Sequence, residues 1–172
     1  MSTERLSLDE IIEQRRQEED LAAQVDEQTV RMVLFTVGAQ LFAVAGSSVR
    51  EILPLGTIAF VPGCPDAMLG VINVRGAIES VLSLAALLGL REGEGSRHRS
   101  ILLAVAAGMR SGLTVDAIVD VAEIPESAVQ PAPATTPAAL AGVVAGAVSY
   151  RDRVATLIEL DRLFQDFTRS LG

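Results

Sequence analysis

The residues able to do chemistry are few and scattered. Cys64 is the only cysteine and His98 the only histidine. One thiol and one imidazole so far apart make no zinc set and no nucleophile–base pair. Cys64 sits between Gly63 and Pro65 in "VPGCPDA", which reads as a small turn or buried residue. Asp116, Asp120 and Glu123 lie close together in "VDAIVDVAE". On a regular strand Asp116 and Asp120 share a face, where they could hold a cation; a solvated strand edge is the simpler reading. Ser80 and Ser83 become nucleophiles only beside a base, and His98 is a weak one to offer. "LREGEG" has neither the strand–turn–helix setting nor the Lys of a phosphate loop.

One cation stands out. In "GVINVRGAIESVLSL", Gly70 to Leu84, Arg75 lies between two apolar runs, with Asn73 and Gly76 beside it. It could be a catalytic cation, a phosphate clamp, a partner contact or part of a turn. No acid–base pair accompanies it, so the sequence predicts a chain that is not an enzyme. It implies no cofactor and no metal.

The elements that must position these residues follow from the pattern. The chain has 172 residues, enough for one domain or two tightly joined small lobes with a real core. Hydrophobic residues make up 49% and aromatics only 3%. No apolar run reaches a membrane span and the start carries no signal pattern, so the expected location is cytoplasmic. Net charge is −8. The first 28 residues hold nine acids and three arginines, contributing −6; the remaining 144 hold thirteen acids and eleven arginines, contributing −2. Neither part offers the basic face that nucleic acid needs. There is no lysine, so every cationic side chain is a guanidinium suited to planar pairing.

Residues 1–28 form an acidic block. Leu8, Ile11, Ile12, Leu21 and Val25 give a thin, interrupted apolar stripe, and Ser7 with Glu10 offers a capping box. The expectation is a helix over about 8–26, either a solvated extension or a docking helix. From Val30 the pattern changes to short strands. Hairpins are expected at Gly38-Ala39, Arg75-Gly76 and Tyr150 to Asp152, with a turn over Gly108 to Gly112. "SSVREIL" fits a helical turn or a strand, and "TIAFVPG" ends a further short segment at Pro62. "SLAALLGL" closes a short helix near Gly89, and "REGEGSRHR" is a polar loop. "PESAVQPAPATTPAALAG" reads as an irregular connector. Leu160, Leu163, Phe164 and Phe167 have helix spacing. Many short strands and frequent turns indicate a mainly β fold, with two small barrels fitting the length; internal repetition is weak.

"VREILPLGTIAFVPGCPDAMLGVINVRGAIESVLSL" resembles the CheW family of chemotaxis coupling proteins. The matching motifs are Val49-Arg50-Glu51-Ile52, Pro62-Gly63-Cys64-Pro65, and Gly70-Val71-Ile72-Asn73-Val74-Arg75-Gly76. "GLTVDAIVDVAEIPESAVQPAP" resembles the family's strand pair and connector, and "GAVSYRDRVATLIELDRLF" its closing hairpin and helix. The likeness runs over about 30–168.

The resemblance implies two packed five-stranded SH3-like β-barrels over 29–172, sharing an apolar core and closed by a C-terminal helix; the N-terminal helical extension over 1–28 is longer than the family needs. It implies a non-catalytic adaptor that couples chemoreceptor tips to the regulatory domain of a CheA-type histidine kinase, with other CheW-like proteins in rings as further partners. It marks Val49, Glu51, Gly70, Asn73 and Arg75 as receptor- or kinase-coupling positions. The bland alternatives are core packing for Val49, a solvated carboxylate for Glu51, close strand packing for Gly70, and a turn brace onto backbone carbonyls for Arg75. Glu79-Ser80 replaces the family's usual Val-Pro, and Ser83 its usual Asp. Those departures suggest a second reading: a competitor or inhibitor of coupling in a developmental, pilus or swarming pathway.

Overall fold

The computed structural model describes residues 7–26, 28–90 and 100–172. The polar loop "REGEGSRHR", with His98, falls outside them.

The N-terminal helix α1 spans Leu8–Asp26. Its capping box forms as expected: the Ser7 amide donates to Glu10 Oε2 at 2.7 Å, and the Glu10 amide to Ser7 Oγ at 3.3 Å. Two start-of-helix N–H groups are thereby satisfied. The side chains from Ser7 to Glu19 are exposed.

The strands are β1 (Thr29–Val37), β2 (Gln40–Ala45), β3 (Val49–Pro54), β4 (Met68–Val74), β5 (Ala77–Ser83), β6 (Ser100–Ala106), β7 (Met109–Val115), β8 (Ala117–Pro125), β9 (Val129–Gln130), β10 (Val144–Tyr150) and β11 (Arg153–Ile158). Three further helices are α2 (Leu84–Leu87), α3 (Ala138–Ala141) and α4 (Leu160–Ser170). One sheet runs β8-β1-β2-β11-β10-β9, the other β3-β6-β7-β5-β4. Both close into barrels. In the first, edge strands β8 and β9 are separated only by the 3₁₀ turn Glu126–Ala128, so they are one strand bent across the opening. In the second, the chain leaving β3 returns to bridge β4 at Ala59↔Val71, with mutual hydrogen bonds of 2.9 Å.

The two sheets are topological copies. Each has an antiparallel hairpin (β1–β2, β6–β7) whose second strand pairs in parallel with a strand of another hairpin (β11 of β10–β11, β5 of β4–β5). A helix follows each of those parallel strands: α4 after β11, α2 after β5. The outer strands are exchanged. β3 follows the β1–β2 hairpin but pairs with β6, and β8 follows β6–β7 but pairs with β1. The repeat is carried by pairing geometry, which tolerates any β-compatible side chain. That is why its sequence trace is weak.

Both faces of β1 are buried, hence its near-continuous apolar run. Val33, Phe35 and Val37 face a core shared between lobes, with Leu102, Leu113 and Phe164. Met32 and Leu34 face the first barrel's interior, with Leu41, Ile124 and Val148. Phe35 and Phe42 stack across the β1–β2 hairpin at 6.1 Å. α4 seals the shared core with Leu160, Leu163, Phe164 and Phe167, all buried as their spacing predicts.

Several local expectations shift. "SSVREIL" resolves into a 3₁₀ turn over Gly46–Ser48 followed by β3. The segment ending at Pro62 is a loop holding the single bridge at Ala59. The turn placed at Gly108 to Gly112 tightens to Ala107-Gly108, both at positive φ. Gly112 is inside β7, where a Cβ would come within 2.7 Å of Ile101 Cγ2. The proline-rich connector carries β9 and α3. Cys64 is partly buried in a turn, its thiol 3.4 Å from the Met68 carbonyl.

Candidate partner-docking site

Arg75 and Gly76 form the two-residue tip of the β4–β5 hairpin. Their φ values are +51° and +85°, the left-handed pair that a tight hairpin turn requires. Gly76 adopts this freely; Arg75 does so at a steric cost. Asn73 stabilises the turn, its Oδ1 accepting from the Gly76 amide at 2.8 Å. The turn is braced by Asn73 rather than by the bland alternative weighed for Arg75, a bond onto backbone carbonyls. Arg75 reaches sideways instead, and its Nη2 lies 2.5 Å from Glu51 Oε1 on β3. Its side chain is 78% exposed, whereas that of Glu51 is 25% exposed. A mostly solvated guanidinium is thus held in one orientation by a half-buried carboxylate.

The pair stands on the wall of a cleft of about 410 Å³, lined by β3, the loop after it, and β4. Glu51, Thr57, Asn73 and Arg75 supply its polar side chains; Leu53, Pro54, Ile72 and Val74 are among its apolar lining. Ile78, paired with Asn73, is 66% exposed. A fixed cation and a carboxylate beside apolar surface suit recognition of another protein chain.

The other expected positions lie around this cleft. Val49 opens β3 and packs against the shared core. Gly70 is buried where the returning loop crosses β4 at φ +149°, and a Cβ there would overlap the Ala59 carbonyl oxygen. Close backbone approach is what Gly70 provides, and it fixes the loop lining the cleft.

Glu79 and Ser80 lie on opposite faces of β5, and each finds a partner on β7. Glu79 is buried with a carboxylate oxygen 2.8 Å from Arg110 Nε. The Ser80 and Ser111 hydroxyls are 2.8 Å apart, and Ser111 Oγ also donates to the Ser80 carbonyl at 3.1 Å. The pair that departs from the usual Val-Pro is matched side chain for side chain by Arg110-Ser111. Ser83 caps α2, its Oγ accepting from the Ala86 amide at 3.2 Å. The acidic trio is dispersed. Asp116 accepts from the Gly38 amide at 2.6 Å, Asp120 from the Tyr150 hydroxyl at 2.5 Å, and Glu123 pairs with Arg31 at 3.0 Å. Among the described residues no three His, Cys, Asp or Glu side chains converge as a metal site, and no helix is long and apolar enough to cross a membrane.

The other lobe repeats the site in different chemistry. A one-residue bulge precedes Glu51 on β3 and Asp120 on β8. Register equates Arg75 with Arg151, at φ +50°, and Ile78 with Val154, 65% exposed. Here the acid reaches the hairpin through Tyr150, over whose ring Arg151 stacks at 5.2 Å. The Tyr150 hydroxyl holds the Asp120 carboxyl below the usual carboxylate range, and accepting carboxylate pushes the Tyr150 phenol up. Sequence reading gave Tyr150, Arg110 and Ser111 places in turns but no role at the site. A lone "RS" in apolar β7 was the available signal, complementary to the lone "ES" in β5.

Two interlocked SH3-like barrels with a polar-rimmed cleft at a hairpin tip define a protein-binding module. The chain belongs to the CheW-like domain family, which matches residues 31–168. It is 33% identical to a probable chemotaxis protein CheW of Rhizobium etli over 78% of this chain and 87% of that protein. It is 32% identical to the chemotaxis protein CheW of Rhizobium meliloti over 77% and 86% of the two chains. The crystal structure of the scaffolding protein TtCheW from Thermoanaerobacter tengcongensis superposes with a TM-score of 0.71 at 27% identity, covering 80% of this chain and 94% of that one.

Proposed function

We propose that the chain is a non-catalytic scaffold of a bacterial chemosensory array. It couples the cytoplasmic tips of chemoreceptors to the regulatory domain of a CheA-type histidine kinase, on the cytoplasmic side of the membrane. The observation that carries this reading is the Glu51–Arg75 pair on the braced β4–β5 turn, beside the apolar cleft. A guanidinium held in place on an exposed tip can make a planar, directional contact with a partner. Membership of the CheW-like family supplies the partner class. Residues 29–172 would form the coupling body, with 1–28 an appended segment.

The competitor reading has Glu79 and the N-terminal helix alter a partner face, with Ser80 departing beside Glu79. The pairing of Glu79 and Ser80 with Arg110 and Ser111 supports changed internal packing instead.

The direct test is calorimetric titration against the regulatory domains of the source organism's CheA-type kinases. Binding is expected, weakened by Arg75→Ala while the melting temperature stays near that of the parent. Absence of binding to every such kinase overturns the proposal. In reconstituted arrays the scaffold should support receptor control of kinase activity; loss of that control would favour the competitor.

A further inference from the structure

We propose that the first turns of α1 dock in a helix-walled groove on a second copy of this chain. α2, α3 and α4 meet around a groove of about 360 Å³. Leu87 and Phe167 lie on its floor, and the small exposed side chains of Ala86 and Ala139 let a further helix approach closely. The charged side chains lining it among the described residues, Asp66 and Asp166, are both acidic and both exposed. Asp166 pairs with Arg169 at 3.4 Å and remains half-exposed.

α1 supplies the complementary surface. Leu8, Ile11 and Ile12 are 73%, 42% and 48% exposed. Arg15 follows Ile11 by four residues and Arg16 follows Ile12 by four, so the two arginines extend the apolar face by one turn. Glu10 and Glu13 fall on the back of the helix. An apolar turn followed by two cations thus matches an apolar floor rimmed by two carboxylates. The Arg75 cleft offers no such match, because Glu51 already neutralises its cation. The groove that α1 fills belongs to a second copy. Leu8 stands about 27 Å along the helix from Asp26, which is joined to β1 by a short connection. Every side chain from Ser7 to Glu19 is exposed, so the chain's own groove leaves them uncovered. Reciprocal exchange of α1 closes a two-fold dimer. Groove and cleft share no lining residue among the described ones, so the exchange leaves Glu51 and Arg75 accessible.

Sedimentation equilibrium of the full chain tests this. The parent should form dimers with rising concentration. Ile12→Asp should weaken association about tenfold, and so should Arg15→Glu with Arg16→Glu, since attractive pairs become repulsive. Asp66→Arg with Asp166→Arg, both at exposed positions, should weaken it by a similar factor, and all four exchanges together should restore it. For the contact itself, Ile12→Cys and Ala139→Cys chains, each also Cys64→Ser, are mixed under oxidation; the mixed dimer should predominate over either homodimer. A chain that stays monomeric throughout, dimers indifferent to Ile12→Asp, failure of the fourfold exchange to rescue, or absence of the mixed disulfide dimer would each overturn the proposal.

Discussion

Gly70 in β4 and Gly146 in β10 are the same position in the two lobes. Each follows a register shift in the inner hairpin, and each lies beneath a carbonyl of the segment that crosses to close its barrel, Ala59 above Gly70 and Gln130 above Gly146. A Cβ at either would overlap that oxygen. Gly70 also has a φ of +149°, so an L side chain there adds backbone strain to the clash. Gly70→Ala should cost about 2–4 kcal/mol and Gly146→Ala less, as read by denaturant unfolding. Equal, negligible losses would show that the crossing segments move aside freely.

Arg75 and Glu51 make a different kind of contribution. Both reach solvent, so their attraction is screened and offset by side-chain ordering. Arg75→Ala should change unfolding free energy by less than about 1 kcal/mol. Its effect should fall on partner affinity, by about 1–3 kcal/mol if a charge-assisted bidentate contact is lost. Unfolding of the variant in thermal melts would assign Arg75 to the turn itself.

Glu79 and Arg110 test the internal replacement. Removing Arg110 strands a buried carboxylate; removing both charges strands nothing. Arg110→Met should destabilise by about 1–3 kcal/mol, kept below the fully buried range because the arginine itself is half-exposed. Adding Glu79→Val should recover most of that loss. A double variant no better than the single one would show that the carboxylate finds water or another donor.

Much of this was legible because the relevant pattern is local. The Ser7–Glu10 box, the α4 stripe and the hairpin tips at Gly38 and Gly76 each depend on residues a few positions apart. That the chain forms barrels was legible, but the contacts that close them were not. They depend on Gly70 and Gly146 receiving backbone from distant segments, and a glycine in a strand does not say what lies above it. The site was half legible: the Asn73–Gly76 turn is local, whereas the Glu51–Arg75 contact spans two strands that are not neighbours in the sheet. Glu79 and Ser80 could mean either a changed partner or changed packing, because Arg110 and Ser111 lie on another hairpin, and only the parallel β5–β7 pairing brings the two strands together.

Tyr150 and Asp120 give the first lobe a pH dependence. The hydroxyl donates to the carboxylate and stabilises its charged state, so Asp120 has a lower pKa folded than unfolded. Its contribution is complete above the unfolded value, about 3.9, and is lost as pH falls through the lowered folded value. The alkaline limb has the opposite cause: the Tyr150 pKa is raised on folding, so its contribution holds below about pH 10 and is lost as pH rises through the folded value. Tyr150→Phe should therefore be less stable than the parent at neutral pH. The two stability curves should converge in strong acid and again in strong alkali. Urea unfolding across that range checks it, and a difference that persists unchanged at both extremes would show that Tyr150 acts through packing rather than through its bond to Asp120.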